Sequence, residues 1–160
     1  MNKIKRLKIE GFKKFKKFEI KFTRDKTILV GKNEAGQSTI LEALDIVLNQ
    51  KNKNADKAII KEWINAENLQ HFIDNPEVIN LPKIVIEVEL ELDNSSPNSG
   101  NFLGENYGEF KPQELKYGIR FECKFEQEFG QTIIHTIKDG EIPLEYYALN
   151  WSTLQGRKYY

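Results

Sequence analysis

Ile28-Leu29-Val30-Gly31-Lys32-Asn33-Glu34-Ala35-Gly36-Gln37-Ser38-Thr39 runs on into Ile40-Leu41-Glu42-Ala43-Leu44, and the reading of this stretch decides the fold. Three apolar residues end in a glycine-containing turn, and the turn opens an amphipathic helix. Strand, loop and helix in that order are the layout of a phosphate-binding loop. Gly31, Gly36 and the hydroxyls of Ser38 and Thr39 fit the pattern Gly-x-x-x-x-Gly-Lys-[Ser/Thr], except that Gln37 stands at the lysine position.

In such a loop the backbone N–H groups converge on one point, and the helix N-terminus adds about half a positive charge. Gly31 and Gly36 are expected to let the backbone adopt conformations a side chain would forbid and approach a phosphate closely. Gly31, Asn33, Glu34, Ala35 and Gly36 are the expected backbone contacts, Gln37 a weakened phosphate contact, and Thr39 a contact through its backbone or hydroxyl. Ser38 Oγ is the expected Mg²⁺ ligand. Gln37 keeps reach and hydrogen-bond donors but carries no charge. Losing a charge-assisted hydrogen bond costs on the order of 1.5–3 kcal/mol, roughly tenfold to a hundredfold in affinity. Lys32 sits in the variable part of the loop and is not assigned the missing role. An ordinary glycine turn capping a helix is the plain alternative.

Composition bounds the rest. The chain has 160 residues, the size of one domain or part of a larger one. Its 39% apolar and 30% charged residues suit a globular chain rather than a disordered one. No apolar run is long enough for a transmembrane helix, no signal peptide is visible, and Cys123 is the one cysteine. A reducing cytoplasm and no membrane are therefore expected. The net charge of zero hides an asymmetry: residues 1–26 hold eleven Lys/Arg against three Asp/Glu, and the remainder is acidic by the same margin. The basic stretch could attract nucleic acid, but a solvated strand face explains it somewhat better, since Lys alternates there with apolar residues.

Along the chain, apolar positions 4, 7 and 9 among cations read as a first strand, and Phe15, Phe18, Ile20 and Phe22 as a second. Residues 26–30 are a third, nearly all-apolar strand that delivers the loop. In the following helix, 38–49, Ile40, Leu41, Leu44, Val47 and Leu48 form the expected core face. Ala55–Ile73 reads as a second helix starting at Asn54 or Asp56, with His71 a surface residue near its end. Pro76 and Pro82 stop any continuation. Residues 83–92 alternate cleanly, with Val85, Glu87, Glu89 and Glu91 outward. That carboxylate row invites a metal or acid–base reading, and a solvated strand face explains it more simply. Residues 93–112 form a long connection. Residues 115–129 return as a strand with Cys123 on its core side, not a nucleophile. Residues 131–138 and 141–144 read as a hairpin turning at Asp139-Gly140, with His135 a structural strand residue. Residues 146–160 are ambiguous.

The segments Ile4-Lys5-Arg6-Leu7-Lys8-Ile9-Glu10-Gly11-Phe12, Phe15…Phe18-Glu19-Ile20…Phe22 and the loop itself closely resemble the start of the ABC-type ATPase heads of the SMC, RecF and OLD-nuclease group. The Gly-Lys-Asn-Glu-Ala-Gly form, with the later strand Ile84–Leu90, is most similar to OLD-family ATP-dependent endonucleases. The specific part covers roughly residues 3–48. The resemblance implies an α/β fold of α+β character: the N-terminal part of a P-loop NTPase head with an antiparallel β-subdomain and two main helices. It divides as 1–49 strands, loop and first helix; 50–82 helical insertion; 83–145 antiparallel β-arm; 146–160 uncertain end. It implies ATP and Mg²⁺ as cofactors, pairing of heads around the nucleotide, and action on DNA by the full-length protein. Two departures bear on activity. Gln37 replaces the lysine, and the sequence holds no apolar run ending in Asp-Glu, no Ser-Gly-Gly signature and no Toprim-like acidic cluster. The chain thus reads as the N-terminal piece of a longer protein or a truncated gene product, binding nucleotide without turning it over and prone to self-associate. A non-catalytic protein- or DNA-interaction module with an unused loop is the second reading. A small P-loop kinase or GTPase fits poorly, because the strands after residue 83 follow one another without helices.

Overall fold

A computed structural model describes residues 3–22, 27–30, 36–91, 117–126 and 131–155. Six strands form one sheet in the order β3-β2-β1-β4-β5-β6, every neighbouring pair antiparallel. They are β1 (Lys3–Phe12), β2 (Phe15–Phe22), β3 (Thr27–Val30), β4 (Ile84–Glu91), β5 (Tyr117–Phe125) and β6 (Tyr147–Thr153). Among the described residues four α-helices accompany them: α1 (Gln37–Asn49), α2 (Lys57–Trp63), α3 (Ala66–Asp74) and α4 (Gln131–Lys138).

The uneven apolar spacing of the first strand has a local cause. The register of β1 against β4 slips between Ile4 and Arg6, so Lys5 is an extra, bulged residue. The bulge puts Ile4 on the same face as Leu7 and Ile9. That face meets Ile84, Ile86 and Val88 of β4, Ile119, Phe121 and Cys123 of β5, and Ala43, Ile46 and Val47 of α1, in one core. Trp63 at the end of α2 is 1% exposed and packs edge-on to Phe121 at 6.1 Å. Burying each such side chain contributes about 1.5–3 kcal/mol, and together they hold α1 and α2 to the sheet. A smaller cluster joins Phe72 of α3 to Ile133 and Ile137 of α4.

Several sequence expectations are corrected. Residues 131–138 are not a hairpin strand but α4, and Asp139-Gly140 ends that helix. Gly140 has φ 81, its N–H donates to Ile137 O, and the N–H of Glu141 donates to Thr136 O. That is a Schellman stop, which uses the same left-handed glycine as a tight β-turn. His135 consequently lies on the exposed side of α4. Ala55–Ile73 is broken into α2 and α3 at Ile64-Asn65, so four helices replace the two main ones expected. Asp56 caps α2 by accepting from Ile59 N, and Asn65 caps α3 by accepting from Glu67 N and Asn68 N. The break docks on the turn between β1 and β2: Asn65 N donates to Gly11 O, and Asn65 Nδ2 to Lys13 O.

On α1 the buried face is Thr39, Ala43, Ile46 and Val47, whereas Leu41 is 67% exposed and Leu48 36%. Ile40 and Leu44 also pack against the core, so of the five expected residues Ile40, Leu44 and Val47 are on the core side and Leu41 and Leu48 turn outward. Val85, expected outward, is 1% exposed. Part of the uncertain end is β6, paired with β5. The 93–112 connection, Leu92 and the last five residues lie outside the described set. Among the described residues, no helix is long and apolar enough to cross a membrane.

Candidate functional site

The loop strand β3 pairs with β2 through Glu19↔Val30 to Phe22↔Thr27 and ends the sheet order. Gly31, Asn33, Glu34 and Ala35 lie outside the described residues, so the structure places the site from Gly36 to Thr39. Gly36 is the N-cap of α1, buried, with φ −99 and ψ 8. These are dihedrals any residue adopts, so Gly36 is not required for a left-handed turn, contrary to one expectation. What it omits is bulk and a capping side chain of its own, and the first turn of α1 holds no acidic residue. The helix begins at once with Ile40 N donating to Gly36 O at 2.9 Å. The first-turn amides and the positive end of the helix dipole suit an anionic acceptor. Gln37 and Ser38 are exposed on that turn, whereas Thr39 is 5% exposed and belongs to the buried side of α1.

The helix carrying this turn is held at two further points. Lys13 Nζ lies 2.6 Å from Glu42 Oε2, tying the β1–β2 turn to α1. At the other end Gln50 is left-handed, with φ 50, and its N–H donates to Asp45 O. The carbonyl of Ile46 instead accepts from Trp151 Nε1 of β6 at 3.0 Å. A polar hollow of ≈ 400 Å³, lined by Asn49, Gln50, Asn52, Lys53 and Asn54, sits at this C-terminal end. It faces helix carbonyls and lies far from Gln37 and Ser38, so it is not the phosphate end.

The carboxylate row of β4 is neither a metal cluster nor a freely solvated face. Glu87 pairs with Arg6 and Arg120, and Glu89 with Arg6 at 3.3 Å. Arg120 also binds Glu122 at 2.8 Å, and Lys124 binds the same carboxylate at 3.3 Å. Burial works to raise the Glu122 carboxyl. The hydrogen bond and charge of Arg120, with Lys124 adding, outweigh it and hold Glu122 below its ordinary value. For Arg120 burial works to lower the guanidinium, and Glu122 and Glu87 raise it further above its usual range. The cross-strand network was missed in the sequence because its members lie on four strands. Among the described residues no group of three or more His, Cys, Asp and Glu is disposed to hold a metal. Burial pushes the Cys123 thiol up to about 12, which leaves it a packed core residue.

Several cations of the basic N-terminal stretch are similarly matched. Arg6 bonds Glu19 at 3.4 Å, Lys8 pairs with Glu10, and Lys16 with Glu67.

A family model described as an AAA ATPase domain matches residues 2–150. No curated protein and no solved structure matches the chain at a significant level.

Proposed function

The chain belongs to the AAA ATPase domain family, and from that premise we propose that it is a nucleotide-binding module of an OLD/RecF/SMC-like DNA-processing ATPase, deficient in hydrolysis. The observation that carries the nucleotide reading is the first turn of α1, entered by a buried Gly36 that offers no capping side chain, free of acidic residues, with Gln37 and Ser38 exposed upon it. Backbone amides there would take the phosphates, and Gln37 would donate a neutral hydrogen bond to them. Ser38 would give Mg²⁺ one hydroxyl oxygen beside phosphate oxygens and water, the hard-oxygen set that ion takes. The bound ion would neutralise phosphate charge; the protein's own contribution is positioning and amide donation. The hydrolysis deficiency rests on Gln37, because the charge a lysine brings counts most where negative charge shifts in the transition state. Exposed Leu41 and Leu48 on α1, and the place of β3 at the end of the sheet order among the described residues, support pairing with a further protein surface.

Titration calorimetry with MgATP tests the reading. Binding is expected, weak in the wild type and tightened about tenfold or more by Gln37→Lys. Radiolabelled ATP should stay unhydrolysed above background. No binding, unimproved by Gln37→Lys, would sink the proposal in favour of the interaction module.

A further inference from the structure

We propose that Lys13 supplies the positive charge that Gln37 lacks, exchanging its partner Glu42 for the phosphates of the bound nucleotide. The inference rests on the nucleotide reading of the α1 N-terminus given above.

Lys13 opens the two-residue turn between β1 and β2 and has φ 51. Its backbone is gripped on both sides. Its N–H donates to Trp63 O at 2.6 Å, and its carbonyl accepts from Asn65 Nδ2 at 2.8 Å. Trp63 and Asn65 are 1% and 4% exposed, so the side chain of Lys13 starts from a fixed point. Its Nζ reaches Glu42 Oε2 at 2.6 Å.

Glu42 stands four residues beyond Ser38. Residues so spaced are neighbours on one helical face, with Cβ atoms about 6 Å apart. Helix side chains lean toward the N-terminus, so the Glu42 carboxylate leans toward Ser38 and carries the Lys13 ammonium with it. Another ion pair that involves α1 among the described residues, Asp45 with Lys51 just beyond the helix, is at its far end.

The Lys13 and Glu42 side chains are 31% and 30% exposed. Pairs this accessible are weak, and a polyphosphate concentrates more negative charge than one carboxylate. A shift of about one helical turn, roughly 5 Å, brings the ammonium from Glu42 to the first-turn amides. A lysine is suited to this, being a point charge on a flexible stem. Glu42 has a second consequence: left unmatched, it would put a negative charge one turn from the phosphates.

The test compares MgATP titrations of the wild type with Lys13→Met, Lys13→Arg and Glu42→Gln, with a thermal melt of each. Lys13→Met should weaken binding about tenfold, Lys13→Arg should hold it within about threefold, and Glu42→Gln should leave it unchanged or tighter. The opposite signs of Lys13→Met and Glu42→Gln are the discriminating result, since a mere strut would lose equally from either end. Equal weakening by both, or no effect of Lys13→Met, overturns the inference while the nucleotide reading stands. No binding by the wild type overturns both.

Discussion

Gly11 shows how much one residue can carry. It has φ 70, and a Cβ there would run into the backbone carbonyl of Lys83. Its own carbonyl accepts from Asn65 N at 3.2 Å. Gly11→Ala therefore adds left-handed strain to a backbone clash, and a loss of about 2 kcal/mol or more is expected in urea unfolding. A loss below about 0.5 kcal/mol would mean β1 and the start of β4 part easily at this point. Buried Cys123 and exposed His71 were legible as such in the sequence. His135 was not, because its setting depended on whether Asp139-Gly140 turned a hairpin or ended a helix.

At the scale of elements, Asn65 is the joint between α2 and α3. Its side chain accepts from two amides of α3, at 3.0 and 3.1 Å, and donates across to Lys13. Asn65→Ala removes an N-cap and leaves a carbonyl of the β1–β2 turn short of a donor. A cost of about 2 kcal/mol is expected from chemical denaturation, and Asn65→Asp should restore only the capping part. The broken helix was hidden in the sequence because no Gly or Pro marks the break and apolar residues stand on both sides of it, although the spacing of Ile59, Ile60, Trp63 and Ile64 already lapses at Glu67 and Asn68. What breaks it is long-range: Ile64 bridges to Phe12, and Asn65 to Gly11. Likewise Trp151→Phe removes the indole donor to Ile46 O. A loss of about 1 kcal/mol is expected, read from the shift in thermal midpoint, with packing against Phe121 kept.

For the whole molecule, the charge asymmetry of the sequence is met by the order of strands. Basic β1 lies between β2 and acidic β4, so Arg6 reaches Glu19, Glu87 and Glu89 at once. The network predicts an acid response. Glu122 is held below its ordinary value of 4.5, so the folded state binds its proton less readily than the unfolded chain. Its stabilisation is present above about 4.5 and is lost as pH falls through the depressed folded value. Denaturant midpoints measured from pH 6 down to about pH 3 should therefore fall less steeply in Glu122→Gln than in the wild type. Parallel curves would show that Arg120 and Lys124 give that carboxylate no net support.

The sequence by itself determined the strands at residues 3–12, 15–22 and 27–30, the helix that follows Gly36, the strand character of β4 and β5, and the place of Gln37 where the phosphate-loop pattern carries a lysine. All of these are local: hydrophobic period, glycine placement and residue chemistry are written in consecutive positions. Tertiary structure alone decided that Leu41 and Leu48 of α1 face outward, where the second helix breaks, that Asp139-Gly140 stops a helix, and that four strands share one ion-pair network. Each of those outcomes depends on a partner distant in the chain, and short-range spacing carries no record of which partner arrives.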